Sequence, residues 1–162
     1  MIDPAILEQA ATLLDTLRTR GLLVATAESC TGGLIAAALT HVPGSSDVVD
    51  RGFVTYSNAA KTDMLDVPAD LIASVGAVSE AVAGRMAEGA IRHSLADIAV
   101  AVTGIAGPGG GTAEKPVGLV WFGCQRRGGA VHTVHRVFPG DRAQVQEQTV
   151  ALAFQLILEQ AG

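Results

Sequence analysis

Apolar residues Ile6, Ala10, Leu13, Leu14 and Leu17 recur at helical spacing and predict a helix over 4–20, stopped by Gly21. The next apolar run, 22–26, is short and continuous, which reads as a buried strand. A helix follows over 31–41, ended by Pro43-Gly44, and β-branched and aromatic residues over 48–57 predict a second strand. A short helix is expected over 59–65, and Ser79 suits the N-cap of a further helix running to about 93. The run of Ile, Val and Ala over 98–103 is the clearest strand. Segments 117–125 and 131–138 predict an antiparallel hairpin around Arg127-Gly128-Gly129. Asp141 then caps a last helix in which Val145, Leu152, Leu156 and Ile157 follow helical spacing. The order αβαβααβββα, with no repeat and no linker, predicts one α/β domain over 1–162: three layers, helices packed around a mixed β-sheet. Strand order does not follow from this pattern.

Composition narrows the picture. A chain of 162 residues, 49% hydrophobic and 17% charged, has the size and apolar content of one packed domain. Aromatic residues make up only 4%, so small side chains must fill much of the core. A net charge of −5 argues against nucleic acid as a partner but leaves room for a local anion site built from backbone amides. Two cysteines make no disulfide framework, and His132 and His135 have no partners at metal spacing. Met1-Ile2-Asp3-Pro4 does not open a signal peptide, and no run of apolar residues is long enough to span a membrane. The expectation is a cytoplasmic enzyme or binding domain.

Three segments carry candidate chemistry. The first is Ala27-Glu28-Ser29-Cys30-Thr31-Gly32-Gly33, between a predicted strand and a predicted helix. A hydroxyl there lies beside unpaired amides and the positive helix end, as an acyl-transfer site requires. Helix capping by Ser29 or Thr31 explains the same residues, and Cys30 is a rival nucleophile. Glu28 stands beside Ser29 either as an acid or base or as a structural group. The second is Tyr56-Ser57-Asn58-Ala59-Ala60-Lys61. The chain has nine arginines but only two lysines, one tyrosine and one asparagine, and this segment holds Tyr56, Asn58 and Lys61. Arginine stays protonated, whereas a desolvated lysine can act as a neutral base and activate a serine without histidine. The third is the loop Thr103-Gly104-Ile105-Ala106-Gly107-Pro108-Gly109-Gly110-Gly111-Thr112. Its glycines suit the binding of phosphate or carboxylate through backbone N–H groups, yet it is neither a dinucleotide fingerprint nor a Walker motif. Arg142, at the start of the last helix, is within reach of an anion if the fold brings it there. Gly84 and Gly89 inside a helix suggest close packing against another surface, a subunit among the candidates.

Taken together and in this order, these segments resemble the CinA C-terminal domain family, as does Glu114-Lys115-Pro116-Val117-Gly118. Several members are nicotinamide-nucleotide amidohydrolases. The resemblance implies conversion of nicotinamide mononucleotide to nicotinate mononucleotide and ammonia, a salvage step without metal or cofactor, in a stand-alone homo-oligomeric enzyme. It implies Ser29 as nucleophile, with Lys61 and Tyr56 activating it or moving protons. Glu28, Thr31, Gly32, Gly33, Asn58, Thr103, Gly104, Ala106, Gly107, Gly109, Gly110 and Arg142 would contact the substrate. Family members often carry arginine at the positions of both Arg142 and Gln146; here only Arg142 is present. Two other classes compete: a module that binds a nucleotide or sugar phosphate without turning it over, and an interaction protein connected with competence.

Overall fold

The computed structural model describes residues 1–162. In chain order the elements are α1 (Pro4–Arg20), β1 (Val24–Glu28), α2 (Leu34–His41), a 3-10 turn (Ser45–Asp47), β2 (Val49–Val54), α3 (Asn58–Leu65), α4 (Ala69–Val75) and α5 (Glu80–Arg92). They continue with β3 (Ile98–Gly104), β4 (Leu119–Arg126), β5 (Val131–Val137) and α6 (Arg142–Ala161). The sheet order is β2-β1-β3-β4-β5. β1 is parallel to both β2 and β3, whereas β3, β4 and β5 run antiparallel. Helices α1, α2 and α6 cover one face and α3, α4 and α5 the other, which makes the three-layer α/β arrangement. No helix is long and apolar enough to cross a membrane.

Where the elements depart from expectation, the cause is local. β1 begins two residues late because Gly21 adopts a left-handed conformation and Leu22 N–H turns back to Leu17 O, completing the C-cap of α1. It also runs on through Glu28, which has no exposed surface. α2 starts at Leu34 rather than near 31, because Gly32 (φ 58°) and Gly33 (φ 104°) take left-handed backbone that the helix cannot include. Neither Ser29 nor Thr31 caps it. α4, seven residues long, carries too short an apolar pattern to stand out in the sequence. Ser79 and Asp141 cap α5 and α6 as expected, the latter through a reciprocal pair of bonds with Gln144, and Ser57 caps α3.

The two faces are filled differently. The face under α1, α2 and α6 is lined by leucine, isoleucine, valine and phenylalanine. On the opposite face, seven of the thirteen buried apolar residues are alanine: Ala25, Ala27, Ala87, Ala90, Ala96, Ala99 and Ala101. Small side chains let α5 settle close to the sheet, so a Cβ on Gly123 of β4 would lie 2.4 Å from Ala83 O of α5. Gly89 of α5 is closer still to its neighbour, the end of α3, where an added Cβ would fall 2.1 Å from Leu65 O. The surface that these helix glycines meet is thus this same chain: α3 for Gly89, β5 for Gly84.

Gly89→Ala is expected to destabilise the fold. Overpacking costs about 1–3 kcal/mol, against roughly 1 kcal/mol gained in helix propensity, and here the obstructing atom is backbone. The urea midpoint should fall; an unchanged or raised midpoint would show that α3 gives way freely.

Candidate active site

The three parallel strands end together, and the connections after β1 and β2 pass over opposite faces of the sheet. Such a switch point opens a crevice at the carboxyl ends of the strands. Ser29 follows the last residue of β1, Thr55 and Tyr56 follow β2, and Thr103 and Gly104 close β3. All three sequence segments therefore converge on one edge, joined there by the start of α6.

Glu28 determines the geometry. Its carboxylate is fully buried and accepts from Thr31 Oγ1 (2.6 Å), Ile35 N (2.9 Å) and Ala36 N (2.9 Å). It thereby caps α2 from the preceding strand. With both oxygens engaged and no exposed surface, Glu28 is not a substrate contact; its work is structural. Thr31 spends its hydroxyl on that carboxylate. The Glu28 carbonyl accepts from Thr55 N (2.8 Å), which ties the end of β2 to the turn that carries Ser29.

Lys61, from the first turns of α3, reaches into this corner and is only 1% exposed. Its Nζ lies 2.9 Å from Ser29 Oγ and donates to Thr55 O at 2.7 Å. None of the ion pairs in the chain involves it. Burial without a counter-ion disfavours the ammonium and holds the amine below the ordinary lysine range. The structure thus juxtaposes a hydroxyl and a desolvated amine from segments 32 positions apart. Cys30 is the opposite case: its thiol is buried, and desolvation pushes it up to about 12, so it stays protonated at neutral pH.

Tyr56 does not join the pair. Its ring is 65% exposed and its hydroxyl makes only a long contact, 3.5 Å, with Arg142 Nη2. A proton path from Tyr56 to Ser29 or Lys61 has no hydrogen bond to run along. Arg142 also donates from Nη1 to Gly107 O (2.8 Å), so it joins the Tyr56 rim to the glycine loop. Within that loop Ala106 and Gly107 are buried and Gly109 and Gly110 exposed, and none of their four amides donates to another residue. Gly104 is there for packing, since a Cβ would press on Leu119 O at 2.8 Å. Thr103, 1% exposed, gives its hydroxyl to Ala77 O. Asn58, the first residue of α3, is exposed. Two residues outside the sequence-derived set take part: Thr55, through its carbonyl, and Gln146, whose Nε2 donates to Cys30 O at 3.0 Å. Gln146 lies one helical turn beyond Arg142, and the signal available in the sequence was the resemblance, whose members often carry arginine at that position.

Known proteins share much of this sequence and fold. The model of the CinA C-terminal domain matches residues 7–161. The nicotinamide-nucleotide amidohydrolase PncC of Enterobacter agglomerans is 51% identical over 144 residues, covering 89% of this chain and 88% of that protein. A CinA-like protein of Akkermansia muciniphila is 52% identical over 143 residues; the match covers 88% of this chain but about a third (34%) of that longer protein. Among solved structures, the competence/damage inducible protein CihA from Agrobacterium tumefaciens superposes with a TM-score of 0.94 at 49% identity, covering 98% of this chain and 97% of that one. By sequence match, fold and the placement of its motifs, this chain belongs to the CinA C-terminal domain family.

Proposed function

We propose that the chain is an amidohydrolase that converts nicotinamide mononucleotide to nicotinate mononucleotide and ammonia. The observation that carries this reading is the buried Lys61 amine, without a counter-ion, 2.9 Å from Ser29 Oγ. A relative matched over most of both chains bears the name of that activity.

In this reading neutral Lys61 takes the proton of Ser29 as Oγ attacks the carboxamide carbon. The resulting ammonium returns that proton to the departing nitrogen, releasing ammonia and leaving a nicotinoyl ester on Ser29. Water, deprotonated by the same amine, cleaves the ester, and Ser29 regains its proton. A positioned base supplies about 10²–10⁴-fold in such steps. The thiol of Cys30, held protonated, is left out. The unpaired amides of Gly109 and Gly110 and the guanidinium of Arg142 together suit the substrate's phosphate. Tyr56, exposed beside Arg142, contributes to that rim rather than to proton transfer. A module that merely binds phosphate has no use for a buried amine against a serine, which is why the hydrolytic reading is preferred.

Four outcomes test the reading. Ser29→Ala should lower turnover of nicotinamide mononucleotide, measured as ammonia release, by about 10³-fold or more; comparable rates in the two proteins would remove Ser29 as nucleophile. Because burial lowers the Lys61 ionisation, kcat/KM should rise with pH as the ammonium loses its proton, through a midpoint below the usual lysine value of about 10.4. Lys61→Arg should abolish that rise along with the activity, since arginine keeps its proton; a near-normal rate would mean Lys61 supplies only charge. Arg142→Gln should raise KM by about tenfold while kcat stays within about threefold, as loss of a binding contact does. An unchanged KM would place the phosphate elsewhere.

A further inference from the structure

The hydrogen bond from Gln146 to Cys30 O joins the first turns of α6 to the turn that carries Ser29, 116 positions earlier. That carbonyl belongs to the peptide unit between Cys30 and Thr31, whose N–H is the Thr31 amide. The preceding peptide unit is held as well: Gly32 N–H donates to Ser29 O at 3.0 Å. The only cis bond in the chain lies elsewhere, so both units are trans, with C=O and N–H pointing in opposite directions. Pinning the two carbonyls therefore fixes the directions of the Cys30 and Thr31 amides.

Neither of those amides donates to another residue, although Cys30 is 7% and Thr31 4% exposed. Buried amides are nearly always paired, so two adjacent free ones next to a reactive hydroxyl call for an explanation. Their neighbours are accounted for: Ser29 N donates to Val102 O and Gly32 N to Ser29 O. The Gly33 amide is free too, but that residue is partly exposed and within reach of water. A serine that attacks an amide needs donors aimed at the oxyanion of the tetrahedral intermediate, and the amide following a nucleophile is a recurrent source.

We infer that the amides of Cys30 and Thr31 form the oxyanion-binding pair, and that Gln146 is the positioning residue that sets the second of them. The inference rests on the amidohydrolase reading with Ser29 as nucleophile. Gln146 touches no reacting atom; it acts through the peptide plane that it holds. Its effect belongs to the tetrahedral intermediate and not to the bound amide, and so to kcat and not to KM.

The test compares Gln146→Leu, which removes the donor at similar volume, with Gln146→Arg, which restores one, using ammonia release from nicotinamide mononucleotide. Removing one oxyanion donor outright costs about 10²–10³-fold; a peptide that is released but still present should cost about tenfold in kcat with KM within about twofold. Gln146→Arg should recover to within about threefold of the wild type. If Gln146→Leu does not fold, Gln146→Glu, which stays polar but cannot donate, reads the same step. Wild-type kcat in the variant that lacks the donor overturns the role of Gln146, as does a loss confined to KM or no recovery with arginine. A wild-type protein that binds the nucleotide but releases no ammonia overturns the amidohydrolase reading itself, a result distinct from the others.

Discussion

Everything at the carboxyl edge of the sheet depends on where the Glu28 side chain goes. A carboxylate sealed from solvent must find donors, and here they are the first amides of α2 and the hydroxyl of Thr31. Because the helix is capped from the strand behind it, the turn between them is relieved of capping. Ser29 is then free to face α3, and the amides of Cys30 and Thr31 are left without a partner residue. The backbone of the same residue holds Thr55, and Thr55 in turn holds the amine of Lys61. One buried residue thus organises both the serine and, at one remove, the lysine beside it.

The second constraint is the alanine-filled face. A lysine ammonium is disfavoured where water is excluded and no carboxylate answers it, and both conditions hold at Lys61. The exclusion comes from close approach: alanines let α5 lie against the sheet, and Gly89 lets the end of α3 lie against α5. Leu65, which meets Gly89, is one turn along α3 from Lys61. A packing detail in the middle of α5 therefore bears on how deeply the amine is set beside Ser29.

Much of the candidate site was legible because scarcity made it so. In a chain that uses arginine for nearly all its positive charge, a lysine beside the single tyrosine and single asparagine stands out. Tyr56 shows the limit of that signal, for rarity drew attention to it equally, yet its ring is exposed and contacts Arg142. Glu28 was ambiguous for another reason: an acidic residue next to a nucleophile reads the same whether it faces the substrate or caps a helix. Gln146 was legible only as a missing arginine, and its partner is a backbone carbonyl that no residue pattern reveals.

By itself the sequence determined all but one of the helices and strands, the caps at Gly21, Ser79 and Asp141, and the three segments that carry candidate chemistry. Periodicity, capping and turn formation act between residues a few positions apart, so the local string is sufficient to specify them. Tertiary structure alone decided the strand order, the later start of α2, the burial of Glu28 and the meeting of Ser29 with Lys61. Each of these depends on which distant groups come within hydrogen-bonding distance once water is excluded, and that is settled when the layers pack.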